Sequence, residues 1–305
     1  MKWRKLGRVF GPEGSEPWAR ANASFPTAIL QGPSVIRVYY TALDDREFGQ
    51  GAWVDLDAED PTRVLDRSPG PVLTVGEPGD FDDCGANPLS VVPFRGRRLM
   101  FYQGWQRTVR APYAIFTGLA VEGADGRFEK HARVPVLDRT HDEPHIRAAP
   151  FALEDGGALR LWYVSSSRWT RRGDELRYSV DIRHATSDDG IRWTADPRPC
   201  LAPDEARGEY AVGRPSVLAE GGRYRMWYSV RSHDAPYRIG YAESGDGFAW
   251  ARMDEKAGIA CSEGGWDSEM ICYPYVIRAA GRLLMFYNGN RHGRTGFGCA
   301  ELETA

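Results

Sequence analysis

Long apolar runs are absent from this 305-residue chain, and none approaches the ~18 residues that a membrane-spanning helix needs. The N-terminus, MKWRKLGRVFGPEG, has neither the apolar core nor the small-residue cleavage site of a signal peptide. We therefore predict a cytoplasmic protein with no membrane partner. Excess positive charge is also missing: the net charge is −3, which argues against a nucleic-acid partner.

Paired cysteines are missing as well. The chain has five scattered cysteines and no Cys-x-x-Cys pair, so we expect reduced, buried thiols rather than disulfides or a zinc site. No His, Asp or Glu spacing indicates a transition metal, and we expect no cofactor. Helix signals are sparse. The 34 Gly, 20 Pro, 10 Trp and 14 Tyr instead indicate many short strands joined by turns.

A short aromatic motif recurs along the chain. GRYRMWYS at 222–229 has counterparts in GALRLWYV (157–164), GRRLMFYQ (96–103), GRLLMFYN (281–288) and, more loosely, SVIRVYYT (34–41). A proline opens another apolar run upstream of each copy, at intervals of roughly 60 residues: Pro26, Pro88, Pro150, Pro215 and Pro274. Asp-Gly turns follow at 125–126, 189–190 and 246–247. Four short strands repeated at this period are typical of β-propeller blades.

The two ends of the chain predict how the propeller closes. The last unit ends in GRTGFGCAELETA (293–305), a third strand without a fourth, whereas KWRKLGRVF (2–10) matches the fourth-strand pattern. We predict an all-β fold: one five-bladed β-propeller domain over residues 1–305, with four-stranded antiparallel blades, in which the N-terminal strand completes the last blade. GRYRMWYS is then a second strand, with Met226 and Tyr228 on one face and Trp227 on the other.

The segments that enter the first strand of each blade differ from one another. Aligned on the proline, they read ANASFP, DCGANP, HIRAAP, YAVGRP and EMICYP. Strand alternation places one polar set on one side at one mouth of the propeller: Asn87, Arg147, Arg214 and Tyr273 near the proline, Asp83, His145, Tyr210 and Glu269 five residues before it, and Glu143 and Asp267 seven before. We predict a polar ligand site there. The alternative is a structural network of carboxylates.

Carboxylates are the candidate catalytic residues. Asp82, Asp83, Asp142, Glu143, Glu209, Asp267 and Glu269 all lie at blade entrances. Carboxyl groups held around one cavity push each other's pKa values apart, which supplies the general acid and the general base that sugar acetals require. Arg147 and Arg214 either bind one carboxylate or phosphate of a ligand together, or neutralise Glu143 and Glu209. His145 is either an acid–base group or a hydrogen-bonding partner.

Other side chains near the mouth are candidate sugar contacts. Trp105, Trp169 and Trp266 lie outside the repeated aromatic positions, and they either stack on sugar rings or pack between blades. The asparagines and the histidine in FYNGNRHG follow a second strand and are candidate hydroxyl binders: Asn288, Asn290 and His292, with Arg291 beside them.

These features resemble a known superfamily. The repeat period, the turns and the phrases FDDCGANP, GWDSEMICYP and FYNGNRHGRTGFG look like the five-bladed propeller glycoside hydrolases, which include arabinanases and xylosidases, invertase-like enzymes and mannoside phosphorylases. Within that group the chain is similar to compact single-domain bacterial members encoded among polysaccharide or secondary-metabolite genes. The resemblance covers essentially the whole chain.

The resemblance also implies roles for individual residues. The third-blade acid corresponds to Asp142 or Glu143, and the fourth-blade general acid to Glu209. The first-blade acid has no counterpart, because RANASFP carries Asn22 and Ser24 instead; Asp83 or Asp45 would serve a shifted centre. Arabinanase-like relatives hold an ion on the axis, and the resemblance leaves such an ion open here.

Three functional interpretations follow. The first is a glycoside hydrolase or glycosyl-transferring enzyme, with Glu209 as proton donor and Asp83 or Glu143 as base. The second is a repurposed enzyme of a biosynthetic pathway that acts on a small, anionic metabolite held by Arg147 and Arg214. The third is a carbohydrate-binding propeller without catalysis.

Overall fold

The computed structural model describes residues 1–303, which form twenty β-strands and three short helical turns. The turns are Glu205–Arg207, Asp254–Lys256 and Asn290–Gly293, and none of them is long or apolar enough to cross a membrane. The strands in chain order are β1 Trp3–Phe10, β2 Ala21–Leu30, β3 Val35–Leu43, β4 Gly49–Asp57, β5 Val64–Arg67, β6 Gly85–Phe94, β7 Arg97–Arg107, β8 Tyr113–Glu122, β9 Phe128–Lys130, β10 Ile146–Asp155, β11 Ala158–Arg172, β12 Glu175–Ser187, β13 Thr194–Ala195, β14 Glu209–Glu220, β15 Arg223–Ser232, β16 Arg238–Ser244, β17 Ala251–Arg252, β18 Cys272–Ala279, β19 Arg282–Asn288 and β20 Phe297–Leu302.

The strands follow one plan in five successive units. Unit 1 is β2–β5, unit 2 is β6–β9, unit 3 is β10–β13, unit 4 is β14–β17, and unit 5 is β18–β20 with β1. Within each unit, consecutive strands pair antiparallel, and parallel bridges join units 1 to 4 into one sixteen-stranded sheet. Unit 5 is a separate four-stranded sheet in the order β1-β20-β19-β18.

The N-terminal strand pairs with the last strand of the chain. β1 runs antiparallel to β20, with Trp3 opposite Leu302 and Phe10 opposite Phe297. The predicted pairing of the two ends is therefore confirmed. Residues 304 and 305, which the prediction included in the last unit, lie outside the described residues.

The first strands of the units contact one another in sequence. β2 contacts β6, β6 contacts β10, β10 contacts β14, β14 contacts β18, and β18 contacts β2. Each first strand thus contacts the first strands of two other units.

The first strands are interrupted at the repeated proline. In each one the register with the second strand shifts at this point, because proline has no N–H to donate to the ladder. In four units the residue before the proline has a left-handed backbone: Phe25 (φ 59°), Ala149 (φ 47°), Arg214 (φ 53°) and Tyr273 (φ 56°). The strict alternation expected from the sequence therefore does not hold across this bulge.

The second strands supply the core between units. Met226 and Tyr228 pack in one cluster of buried residues and Trp227 in another, which confirms the predicted division of GRYRMWYS between two faces. Cys84, Cys272 and Cys299 are buried as predicted. Cys200 is half-buried and Cys261 is exposed, so the prediction of buried thiols was wrong for these two.

Candidate functional site

A cavity of 160 Å³ lies where the first strands converge. It receives side chains from all five units, and its wall includes the four left-handed residues Phe25, Ala149, Arg214 and Tyr273. We call it the central cavity. Strained backbone positions of this kind cost about 1–3 kcal/mol each and cluster at ligand sites. Wider clefts of 380 and 540 Å³ lie beside the outer strands of units 1 and 2, away from these positions.

Aromatic rings form one side of the central cavity. The ring centroids of Tyr273 and Phe25 are 4.4 Å apart, and His292 lies 6.1 Å from Tyr273 and 4.9 Å from Tyr237. Trp169 continues this layer through edge contacts with two further tyrosines, Tyr113 at 5.8 Å and Tyr178 at 5.4 Å. The structure thus brings together Trp169, Tyr273 and His292 of the predicted site residues.

Arg231 occupies the middle of this aromatic layer. Its guanidinium donates to the Tyr178 hydroxyl and lies 5.2 Å from the Tyr178 ring and 4.9 Å from the Tyr237 ring. His292 keeps part of its surface exposed, but partial burial of its ring against the tyrosines and the nearby Arg231 charge lower its pKa below the ordinary value. His292 is therefore neutral at pH 7.

Arg214 forms the other charged part of the cavity wall. Its side chain donates to the Leu89 carbonyl (2.8 Å), the Pro26 carbonyl (3.2 Å) and the Thr27 hydroxyl (2.8 Å), which ties unit 4 to units 1 and 2. Burial lowers the pKa of Arg214 to about 10, so it remains a cation at pH 7. It does not contact Glu209, and it does not converge with Arg147, whose guanidinium turns toward Glu143, Tyr163 and the Asp138 carbonyl.

The predicted carboxylates have different surroundings. In unit 2 the Tyr102 hydroxyl donates to Asp82 at 3.0 Å, and Lys130 lies 2.6 Å from the same carboxylate. We call this contact the tyrosine–carboxylate pair. It recurs as Tyr163 with Glu143 in unit 3, Tyr228 with Asp254 in unit 4 and Tyr287 with Asp267 in unit 5. The tyrosine in each is the last aromatic of the repeated motif.

Two of the predicted site residues belong to these tyrosine–carboxylate pairs. Glu143 has Arg147 Nε at 3.3 Å, and Asp267 accepts from Lys5 at 2.6 Å. Both carboxylates are buried, and neither lines the central cavity. This placement corrects the expectation that they face the ligand and favours the structural alternative for them.

Glu209, expected to be the general acid, is 1% exposed. Arg252 donates to both of its oxygens at 2.7 Å, and Arg238 and the Asp204 N–H also donate to it. Burial acts to raise the pKa of Glu209, but the hydrogen bonds from Arg252, Asp204 N–H and Arg238 outweigh it and lower the pKa below its usual value. A group held ionised in this way is a poor proton donor.

Lys5 should be more important for stability than its place in an N-terminal strand suggests. We expect Lys5→Met to lower the free energy of unfolding by about 2 kcal/mol, because it leaves the buried Asp267 without its cation. Urea denaturation measures this change. Lys2→Met is the matched control on the same strand, since Lys2 is 77% exposed and its pair with Glu303 should contribute less than about 1 kcal/mol. Equal effects of the two substitutions would contradict the assignment.

The remaining predicted carboxylates lie near the mouth, which is the end at which the first strands begin. Asp83 and Glu269 hold the same position, five residues before the repeated proline, in units 2 and 5. Asp83 accepts from the Gly79 N–H, and its other oxygen is buried without a hydrogen bond; Glu269 is exposed. Neither forms an ion pair within residues 1–303. Asp142 is also exposed.

Other predicted ligand contacts are dispersed. Asn22 lines a separate cavity of 230 Å³, and Asp45 is exposed and pairs with Arg20 at 3.3 Å. His145 is half-buried at the mouth, and its backbone N–H donates to the Ser166 carbonyl.

Three further candidates are built into the first strands or lie against them. Asn288 is buried and accepts from the Phe25 N–H at 2.7 Å, so it positions a cavity residue. Asn87 is buried, and no described group bonds to its Oδ1. Trp105 is half-buried with its indole against Gly85.

Trp266 also packs inside its unit. It lies against Gly289 and Gly298 and 5.2 Å from the Tyr287 ring, as Phe81 lies against two glycines and Tyr102 in unit 2. Within residues 1–303, no three His, Cys, Asp or Glu side chains are grouped so that they could hold a metal ion.

Arg231 was missed by the sequence reasoning, although a signal for it exists. It stands three residues after the repeated tyrosine, the position that Trp105 and Asn290 hold in units 2 and 5. Asn290 was selected because it follows a second strand, and the same argument applies to Arg231. Tyr178 lies in the third strand of unit 3 and Tyr237 directly precedes that of unit 4, and neither residue was selected from the sequence.

Comparison with known proteins identifies close relatives. The chain is 36% identical over 303 residues to Uncharacterized protein Rv1502 and to Uncharacterized protein MT1551 of two Mycobacterium tuberculosis strains, covering 99% of this chain and 100% of each relative. The chain therefore belongs to the same protein family as these mycobacterial proteins. No protein-family model matches it.

Solved structures of glycoside hydrolases share the fold. BT0996 in an RGII complex and a second protein described as a glycoside hydrolase each give a TM-score of 0.77 at 20% identity, covering 99% of this chain and 92% of theirs. A structure from the GH130 family of mannoside phosphorylases, which contains glycoside hydrolases that target β-1,2-mannosidic linkages in Candida mannan, gives 0.70 at 14% identity, covering 99% and 93%. At these identities the likeness establishes the fold. The resemblance seen in the sequence is confirmed at that level.

Proposed function

We propose that this protein is a glycoside hydrolase-like enzyme that acts on a glycoside or a sugar-derived small molecule at the mouth of the central cavity. The observation that carries the proposal is the cavity itself, which has an aromatic wall, two arginines and four strained backbone positions. Enzymes commonly bind small molecules in a concave, mostly apolar pocket with a few convergent polar groups. The glycoside hydrolase fold of the structural neighbours agrees with this assignment.

The five units are, in this proposal, the blades of one closed five-bladed propeller domain. The sequential contacts of the first strands from β2 round to β18 and back support it, as does the pairing of β1 with β20. The ligand then enters along the propeller axis, between segments whose sequences differ from blade to blade.

Asp83 and Glu269 are the proposed acid–base pair. They are the predicted catalytic carboxylates that remain at the mouth without a cation partner, whereas Glu143 and Glu209 are held inside their units. Their equivalent positions, in blades that flank the first blade on either side, compensate for the carboxylate that the first blade lacks. A free carboxylate can exchange protons with a substrate.

Assay of the purified protein against a panel of glycosides tests this proposal. We expect sugar release from at least one of them, and we expect Asp83→Asn and Glu269→Gln each to lower the rate by roughly 100-fold or more without changing Tm. Glu263→Gln is the control, because Glu263 is an exposed carboxylate in the segment that precedes Glu269. Full activity in both variants would exclude Asp83 and Glu269 as the pair.

A carbohydrate-binding propeller without catalysis is the second candidate. The observation in its favour is that the carboxylate positions matched to the glycoside hydrolases are either replaced, as at Asn22, or held by arginine, as at Glu209. For this function, no glycoside is cleaved, but a saccharide raises Tm by mass action. The same two measurements therefore separate the candidates.

A further inference from the structure

The charges around the central cavity are unbalanced. Two guanidinium groups, those of Arg214 and Arg231, line it, and no carboxylate does. Among residues 1–303, neither arginine forms an ion pair with a carboxylate. Other shielded arginines do have such a partner: Arg37 with Asp55, Arg98 with Glu122, Arg147 with Glu143, Arg183 with Asp181 and Arg252 with Glu209. The cavity is thus a place where positive charge is concentrated without compensation.

The two arginines differ in how many of their hydrogen-bond donors are already used within the protein. Arg214 is 2% exposed and uses its terminal nitrogens on the Leu89, Pro26 and Thr27 oxygens, so its role is to join units. Arg231 is half-buried and makes one side-chain hydrogen bond, to the Tyr178 hydroxyl. A guanidinium carries five N–H donors, so most of those on Arg231 are available to a ligand.

An anion would complete this site. Removing a guanidinium from water without a counter-ion is unfavourable, and Arg214 adds a second positive charge to the same wall. Carboxylate and phosphate match the planar guanidinium fork and form two parallel hydrogen bonds with it. The Tyr178 and Tyr237 rings both lie within cation–π distance of Arg231.

We propose that the ligand of the central cavity carries a compact oxyanion, a sugar carboxylate being the leading case, and that Arg231 binds this group. The inference rests on the proposed function for the location of the ligand and not for its reaction. The cavity volume of 160 Å³ admits about one sugar ring, and the adjoining rings of Tyr273 and Phe25, tilted at 34° to each other, provide an apolar surface for the face of that ring. Arg231 is then a substrate-binding residue that specifies charge.

Binding measurements with matched probes test the inference. Glucuronate, its neutral counterpart glucose, and inorganic phosphate are titrated into the protein by calorimetry at low salt. We expect glucuronate to bind and glucose to bind at least 10-fold more weakly. Phosphate binding without glucuronate binding would assign the site to a free phosphate instead of an acidic sugar. Equal affinity for glucose and glucuronate, or no binding of either anion, would overturn the proposal.

Substitutions of Arg231 test whether this side chain binds the anion. Arg231→Met should weaken glucuronate binding by roughly 10- to 100-fold, and Arg231→Lys should weaken it less. Arg171→Met is the control, because Arg171 is an exposed arginine on the β11–β12 hairpin and no carboxylate within residues 1–303 pairs with it. The Tm of unliganded Arg231→Met should be no lower than that of the wild type, since an uncompensated charge is removed. A large fall in Tm would instead make Arg231 structural.

The carboxylate variants allow catalysis and anion binding to be measured separately. Asp83→Asn and Glu269→Gln, expected to be inactive, should still bind glucuronate with wild-type affinity. If no glycoside is cleaved by the wild type but the anion binds, the proposed reaction fails and the ligand class stands.

Discussion

Replacing Glu209 with glutamine should lower the free energy of unfolding by about 3 kcal/mol, because the substitution removes one of the two carboxylates that Arg252 and Arg238 share. Glutamine keeps the size of the side chain and one acceptor oxygen, so the loss arises mainly from the charge. Glu209 is almost inaccessible to water, and Asp254 is then the one described carboxylate that pairs with both Arg252 and Arg238. Urea denaturation at pH 7 measures the change.

The matched control is Glu205→Gln, four residues earlier in the chain. Glu205 also pairs with an arginine, Arg168 at 2.6 Å, but its side chain is 71% exposed, so we expect a change of less than about 1 kcal/mol. The result also distinguishes the two roles considered for Glu209. A variant that loses activity while keeping wild-type stability would restore Glu209 as the general acid and contradict the structural assignment.

Stability should fall as the pH is lowered from about 6.5 to 4, and His184 should account for much of the loss. The ring is buried, and its Nε2 accepts a hydrogen bond from Arg160 Nε at 3.1 Å, which only a neutral imidazole can do. Burial, together with the Arg160 charge, lowers the pKa of His184 to about 4.

The direction of this pH effect on stability follows from the pKa of His184 in the folded and unfolded states. The unfolded chain protonates its histidine near the ordinary value of ~6.5, whereas the folded protein stays neutral there until about pH 4. Between these values only the unfolded state gains the proton, so unfolding becomes easier by up to about 3 kcal/mol. Below pH 4 both states are protonated and this contribution stops growing.

His184→Gln isolates this contribution. The glutamine carbonyl can still accept from Arg160 but does not titrate, so the variant should lose less stability than the wild type between pH 6.5 and 4. Chemical denaturation of both proteins at several pH values provides the comparison. If the free energy of unfolding has the same pH dependence in the wild type and in His184→Gln, the pKa of His184 does not change on folding.

Part of the candidate site follows from the repeat alone. The proline and the aromatic motif place every first and second strand, and they also identify the variable entrances, from which Tyr273 and Arg214 were selected as candidates. Asp83 and Glu269 share a position five residues before the proline, which is visible without coordinates. Local spacing sufficed here because strand pairing in a repeat is set by short-range turns and alternation.

The direction of the entrance side chains could not be obtained in this way. A left-handed residue before the proline breaks the two-residue period, so Arg214 turns into the cavity while Arg147 turns toward Glu143. A carboxylate at an entrance likewise has the same appearance in sequence whether it faces a ligand or a buried tyrosine. Asp267 accepts from the buried Tyr287 hydroxyl, whereas Glu269, two residues later, is exposed.

By itself, the sequence determined the all-β class, the repeated strands and the pairing of the chain ends, because these depend on periodicity and turn residues within each unit. Only the tertiary structure decided which charges are compensated. Lys5 reaches Asp267 from the opposite end of the chain, and among the described residues no carboxylate pairs with Arg231, which lies amid tyrosines from three units. These contacts join residues that are far apart in the chain, 262 positions for Lys5 and Asp267 and 53 for Arg231 and Tyr178, and no local pattern encodes them.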